Sequence, residues 1–402
     1  LDRGAGAAHV NARARVATIR LPRPGGVLEP FAVHEPLVFE RPSRPFTRRA
    51  LAAAHVVADP WAVVDPWTEA ALDWEATLAY RHHLWSWGLG VAEAMDTAQR
   101  GMGLDWPLAR ELARRSIEAA RGVPGAELWC GVGTDHLAPD AHRSVAEVIA
   151  AYEEQCAQVE GFGGRLVIMA SRALAACART PDAYGLVYDR ILSQVREPVI
   201  LHWLGEMFDP ALAGYWGSGD PEEAMQICLD VIARNAARVD GIKISLLDAR
   251  REVEMRRRLP AGVRMYTGDD FNFVALIEGD GERHSDALLG IFDAIAPAAS
   301  AALSALAAGA SARYRAILAP TVPLARHVFG APTRFYKTGI VFLAWLNGHQ
   351  SHYTMVGGQQ SARSLIHLAE LFRLADAAGL LADPALACAR MRALLAVHGL
   401  CP

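Results

Sequence analysis

Val239-Asp240-Gly241-Ile242-Lys243-Ile244-Ser245 is a short apolar run with β-branched residues, and it reads as a buried parallel strand. Of the chain's 40 Lys and Arg residues only two, Lys243 and Lys337, are lysines. Arginine stays protonated and cannot act as a nucleophile. A desolvated lysine can lose its proton and form an imine with a carbonyl. Lys243, delivered at the end of a buried strand, is therefore a candidate Schiff-base lysine; the alternative is a salt-bridged structural lysine. Lys337, in Phe335-Tyr336-Lys337-Thr338-Gly339, falls in a helical pattern and reads as structural.

Outward from this strand the chain alternates regularly. Strand-like runs cover residues 51–57, 91–95, 128–132, 166–169, 198–203, 263–267 and 285–291. Helical patterns lie between them at 75–87, 105–120, 144–159, 183–195 and 221–237. Asp105 caps one helix ahead of Pro107, and Asp220 precedes Pro221 at another. Eight strands with mostly helical connections predict an α/β chain closed as a (β/α)₈ TIM barrel. An open doubly wound sheet is the alternative, but no G-x-G-x-x-G follows the first strand. Gly131 and Gly133 in Cys130-Gly131-Val132-Gly133-Thr134 are only a fragment of that pattern. The expected division is an N-terminal extension at 1–50, a barrel at 51–300, and the last barrel helix with a C-terminal helical extension at 301–402. Within the first part, 15–21 and 36–40 are short strand candidates around Pro24-Gly25-Gly26.

With 52 % hydrophobic and 21 % charged residues and a net charge of −4, the chain carries no electrostatic footprint for nucleic acid. Arg256-Arg257-Arg258 reads as a solvated helix end. Cys130, Cys156, Cys177, Cys228, Cys388 and Cys401 are widely spaced and read as reduced thiols. Leu1-Asp2-Arg3-Gly4 opens no apolar signal region, and no run of about 18 apolar residues suggests a membrane span. A cytoplasmic protein is expected.

The segment 197–295 resembles the dihydrodipicolinate synthase/N-acetylneuraminate lyase superfamily. Gly241-Ile242-Lys243-Ile244-Ser245, with Asp248 shortly after, matches that family's sixth-strand G-I-K pattern. Tyr266-Thr267-Gly268-Asp269-Asp270 matches the end of its seventh strand. More loosely, Asp73-Trp74-Glu75 and Asp96-Thr97-Ala98-Gln99-Arg100-Gly101 occupy the first helix start and the substrate loop. More narrowly, the chain resembles an uncharacterised branch known only as a domain of unknown function. The resemblance implies a barrel with a C-terminal helical extension, a homo-oligomer, and Lys243 as the imine-forming nucleophile. The family's strand-five Tyr-Asn-Val-Pro is replaced here by His202-Trp203-Leu204-Gly205, and its Gly-Thr-Thr-Gly-Glu loop by residues 96–101. The retained lysine with these replacements implies imine chemistry on a carbonyl substrate other than the family's 2-oxo acids, such as a keto sugar or other polyol; a 2-oxo acid stays as the alternative.

Active sites of such barrels lie at the C-terminal strand ends. The polar residues expected there are Asp96, Thr97, Asp135, His136, His202, Glu206, Lys243, Asp269 and Asp270. Lys243 would be the nucleophile, and His202 an acid/base with its ordinary pKa near ~6.5. Substrate contacts would come from Asp96, Thr97, Gln99, Trp203, Glu206, Asp269 and Asp270, although Trp203 also suits core packing and the aspartates suit helix capping. His202 and Lys243 should share one cavity with Asp269 or Asp270. The expected partner is a small carbonyl compound, with no nucleic acid, membrane, metal or other cofactor. Two other classes stay open: a metal-dependent sugar isomerase or epimerase, and a non-catalytic metabolite-binding barrel. No H-x-H or H-E-x-x-H spacing favours the metal class.

Overall fold

A computed structural model describes residues 13–400. Residues 1–12, with the expectation about a signal region, and Cys401 lie outside the described residues. A hairpin, β1 (Arg15–Arg23) and β2 (Val27–His34), precedes eight strands: β3 (Ala50–Ala53), β4 (Gly90–Glu93), β5 (Leu128–Val132), β6 (Arg165–Ile168), β7 (Val199–Leu204), β8 (Val239–Ser245), β9 (Arg264–Thr267) and β10 (Asp286–Leu289). These eight pair in parallel, and β10 closes on β3 to complete a barrel. The expected TIM barrel is the observed fold.

The helices between the strands are α1 (Trp74–Ser86), α2 (Trp106–Arg121), α3 (Val145–Gly161), α4 (Arg172–Cys177), α5 (Asp182–Leu192), α6 (Pro221–Arg234), α7 (Ala249–Arg258) and α8 (Phe273–Glu278). Their starts follow local chemistry. Asp73, Asp105, Asp220 and Asp248 each accept from a backbone N–H of the first turn, and Ser144 with Glu147 forms a reciprocal capping box. Beyond β10 the chain is helical, through α9 (Ile291–Ala294), α10 (Ala296–Ala307), α11 (Ser311–Leu318), α12 (Thr321–Val328), α13 (Tyr336–Leu346), α14 (Leu365–Ala377) and α15 (Pro384–Val397).

Inside the barrel, Leu51, Ala92, Trp129, Val167, Ile200, Tyr266 and Leu288 pack together. Gly241 is needed here because a Cβ at that position would lie 2.6 Å from the Tyr266 ring. The Tyr266 hydroxyl donates to Asp240 and accepts from Arg49 at 2.9 Å, anchoring the ring at the N-terminal end of the strands. Between β4 and α1, the buried Arg81 is held to Glu93 through two 2.8 Å hydrogen bonds.

Three local expectations are corrected. Residues 36–40 form no strand; the partner of β1 is β2. Pro30 lies within β2, opposite Arg20, in a sheet of only two strands where each strand keeps one open edge. The hairpin instead rests on the C-terminal helices, where Asp376 accepts from the His34 backbone at 2.8 Å and pairs with its ring. Arg256 is not solvated. It is buried and bonded to the Leu276 carbonyl, Ser285 and Asp280. The first barrel strand is also shorter than the 51–57 run, because His55 turns to bind Asp293. Among the described residues no helix is long and apolar enough to cross a membrane, and five cysteines are free and buried.

Candidate active site

Strands β7 and β8 run in register, with His202 opposite Lys243 and Leu204 opposite Ser245. Side chains alternate along a strand. Ile200 and His202 therefore face the barrel axis, as do Gly241, Lys243 and Ser245. Trp203 consequently points outward and packs edge-on against Trp216, at a 6.4 Å ring separation. It belongs to the layer between strands and helices, which removes it from the expected substrate contacts.

Lys243 crosses the end of β9 at Gly268. A Cβ there would lie 2.8 Å from Lys243 Cε and 2.6 Å from the Ile244 carbonyl. The glycine is thus required by close approach. Gly268→Ala should displace the Lys243 side chain, lowering turnover at least about tenfold and stability by about 1–3 kcal/mol, as overpacking does. Steady-state kinetics with thermal melting checks this; wild-type values for both would contradict the crowding.

Only 4 % of Lys243 is exposed. Among the described residues no carboxylate oxygen lies within 4.0 Å of its amine, and the amine makes no hydrogen bond. A salt-bridged structural lysine is not what is observed. Burial lowers its pKa, opposed by the charges of Asp96 and Asp270. Asp270 is buried too: its carboxyl accepts from the Ile291 N–H at 2.8 Å, and burial pushes its pKa up to about 8. For Asp96 burial acts in the same upward direction, but Lys243, Lys337 and His202, with a hydrogen bond from Tyr336, outweigh it and leave the pKa lowered. Asp96 is thus the ionised carboxylate of the site, whereas burial shifts Asp270 toward its protonated form. Asp96 Oδ1 is buried without a hydrogen-bond partner.

His202 Nε2 lies 3.2 Å from Ser245 Oγ, and its Nδ1 is buried without a partner. Burial, reinforced by the nearby Lys243 charge, holds its pKa well below the ordinary value. The expectation of an imidazole titrating near ~6.5 is therefore corrected: His202 is a neutral ring at physiological pH.

A cleft opens beside these residues, and Asp96, Met102, Asp135, Arg172, His202 and Lys337 are in its wall. Lys243 is not part of that wall, so the expected shared cavity holds for His202 alone. Asp270 accompanies the lysine electrostatically. Asp269 instead folds back on its own loop, accepting from the Phe271 and Asn272 N–H groups at 2.9 and 3.0 Å. Gln99, at a left-handed φ of 66°, donates to the Val356 carbonyl at 2.6 Å and is structural. Glu206 is exposed and outside the cleft wall. Asp135 is held by Arg100 and Gln155, and His136 by Glu154 at 3.3 Å. Among the described residues no group of three or more His, Cys, Asp or Glu is placed to hold a metal. His349, packed against His83, and Tyr353, stacked on Trp345, are not in the cleft wall.

Two residues of the site come from the start of α13, far along the chain. Tyr336 donates to Asp96 Oδ2 at 2.6 Å and accepts from Thr97 Oγ1 at 2.7 Å. Lys337, read from sequence as structural, lines the cleft. The scarcity of lysine was the one signal that could have singled it out; Tyr336 had none.

The chain matches the family described as "Protein of unknown function (DUF993)" over residues 19–400. No curated protein matches it. Among solved structures, it resembles dihydrodipicolinate synthase from Aquifex aeolicus at 12% identity and a TM-score of 0.62, covering 83% of this chain and 99% of that one. For dihydrodipicolinate synthase from Thermotoga maritima the values are 15% and 0.61, with 83% and 99% covered. For the chloride-inhibited enzyme from Acinetobacter baumannii complexed with pyruvate they are 15% and 0.55, again with 83% and 99% covered. At these identities the likeness is one of fold. The match along nearly the whole chain goes further: this protein belongs to the DUF993 family, built on the dihydrodipicolinate synthase-type barrel.

Proposed function

We propose that this protein is a lyase or aldolase that forms an imine at Lys243 with a carbonyl substrate, a keto sugar or a 2-oxo acid. The observation that carries the reading is a buried, unpaired amine on the inner face of β8, at the strand end where such barrels place their chemistry. Burial lowers its pKa and so favours the neutral amine that imine formation needs. Its nitrogen attacks the carbonyl carbon, the carbinolamine loses water, and the protonated imine becomes the sink for the electron pair of the bond that breaks at the adjacent carbon.

Asp96 is the group to accept the proton released in that cleavage, because it stays ionised and keeps Oδ1 free. Burial holds the Tyr336 phenol well above its ordinary pKa. It therefore stays protonated as a donor that fixes Asp96. This pair is our candidate for proton transfer, the role that the superfamily resemblance gives to a strand-five tyrosine. His202, neutral, offers Nδ1 as an acceptor for a substrate hydroxyl. The superfamily resemblance further supports a cytoplasmic homo-oligomer.

Borohydride reduction against a panel of keto sugars and 2-oxo acids tests the reading. Intact mass should rise by the substrate's mass less one oxygen atom. Activity should also survive exhaustive chelation. If no adduct forms, and chelation stops an activity that Mn²⁺ restores, a metal-dependent isomerase replaces the proposal.

A further inference from the structure

The second lysine sits in an unusual setting. Lys337 is 2 % exposed, yet among the described residues no carboxylate oxygen lies within 4.0 Å of its amine. Its one hydrogen bond is a weak one, to Met102 Sδ at 3.2 Å, and its amine is 5.2 Å from the centre of the Tyr336 ring. Arg172 lines the same cleft. It bonds Asp209 through Nε alone, so both Nη groups are without an acceptor. Gly101 makes room for them: a Cβ there would come within 3.0 Å of Nη2. Arg100, by contrast, is fully engaged by Asp135, Gln155 and the Ala94 and Gly131 carbonyls, and has nothing left to offer.

Lys337 is a buried cation without a carboxylate partner, which is costly, and Arg172, paired to Asp209 and 35% exposed, adds a second positive charge to the same cleft. Burial most of all, and Arg172 with it, disfavours the charge on Lys337, which Asp96 and Asp209 favour. An anionic group placed between them would be held by an ammonium and by the planar fork of a guanidinium. We infer that Lys337 and Arg172 form an anion-binding subsite, and that the substrate carries a phosphate or carboxylate away from its reacting carbonyl. The assignment to substrate rests on the imine reading; the anion site itself does not.

Calorimetric titration with inorganic phosphate and with propionate tests it, on the wild-type chain, Lys337→Met and Arg172→Gln. Lys337→Met is close in volume and lies beside Met102. The wild type should bind at least one of the two anions, and each substitution should weaken that binding about tenfold or more, the loss expected for a charged hydrogen bond. Preference for phosphate identifies a phosphate ester, and preference for propionate a second carboxylate. If neither anion binds, or if both variants bind like wild type, the subsite does not exist. Arg172→Gln decides the matter should Lys337→Met fail to fold. Titration needs no imine and borohydride trapping needs no anion, so either proposal can fail alone.

Discussion

Lys243→Arg is expected to abolish turnover and borohydride trapping together, while circular dichroism still reports a folded barrel. Imine formation needs a nitrogen lone pair, and a guanidinium, protonated throughout the accessible pH range, has none to give. The loss should therefore be complete within detection rather than partial. The replacement charge would fall near the carboxyls of Asp96 and Asp270, the two groups that act on the lysine. Lys243→Met provides a second variant, should the larger side chain disturb Gly268. Turnover at the wild-type rate in either folded variant would refute the proposal. An adduct that survives in Lys243→Arg and maps to Lys337 would move the nucleophile to α13.

Asp96→Asn should lower turnover by roughly 10²–10⁴, the usual cost of losing a positioned general base. The amide keeps the shape and can still accept from Tyr336, so KM should change much less than kcat. Sign matters for stability as well. The Asp96 pKa is lowered in the folded chain, so its contribution is present above the ordinary carboxylate pKa of about 3.9 and is lost as the pH falls through the folded value. In Asp96→Asn that part of the acid transition should disappear, and acid titration followed by melting temperature would reveal it. Unchanged kcat would assign Asp96 to structure alone and leave the base to be sought elsewhere.

Most of the scaffold was legible because its determinants are local. Asp105, Ser144 and Asp220 cap helices through hydrogen bonds spanning two or three residues, so the helix starts can be read from the chain itself. Parallel strands buried on both faces show as short apolar runs, and β5 and β8 were bounded correctly by that signal. Strand alternation was equally available, and applied to β7 it separates His202 from Trp203.

What the sequence determined by itself was the order of strands and helices, the closed barrel they imply, and the one strand-borne amine suited to imine chemistry. These follow from residue periods, from capping and from the rarity of lysine. The tertiary structure decided the rest. It brought Tyr336 onto Asp96 across 240 positions of chain, placed Lys337 in the cleft, and sent Asp269 back onto its own loop. It also set the direction of the charge states, His202 toward the neutral ring and Asp270 toward the protonated acid. Burial and the neighbouring charges decide those states, and both exist only once distant segments have packed together.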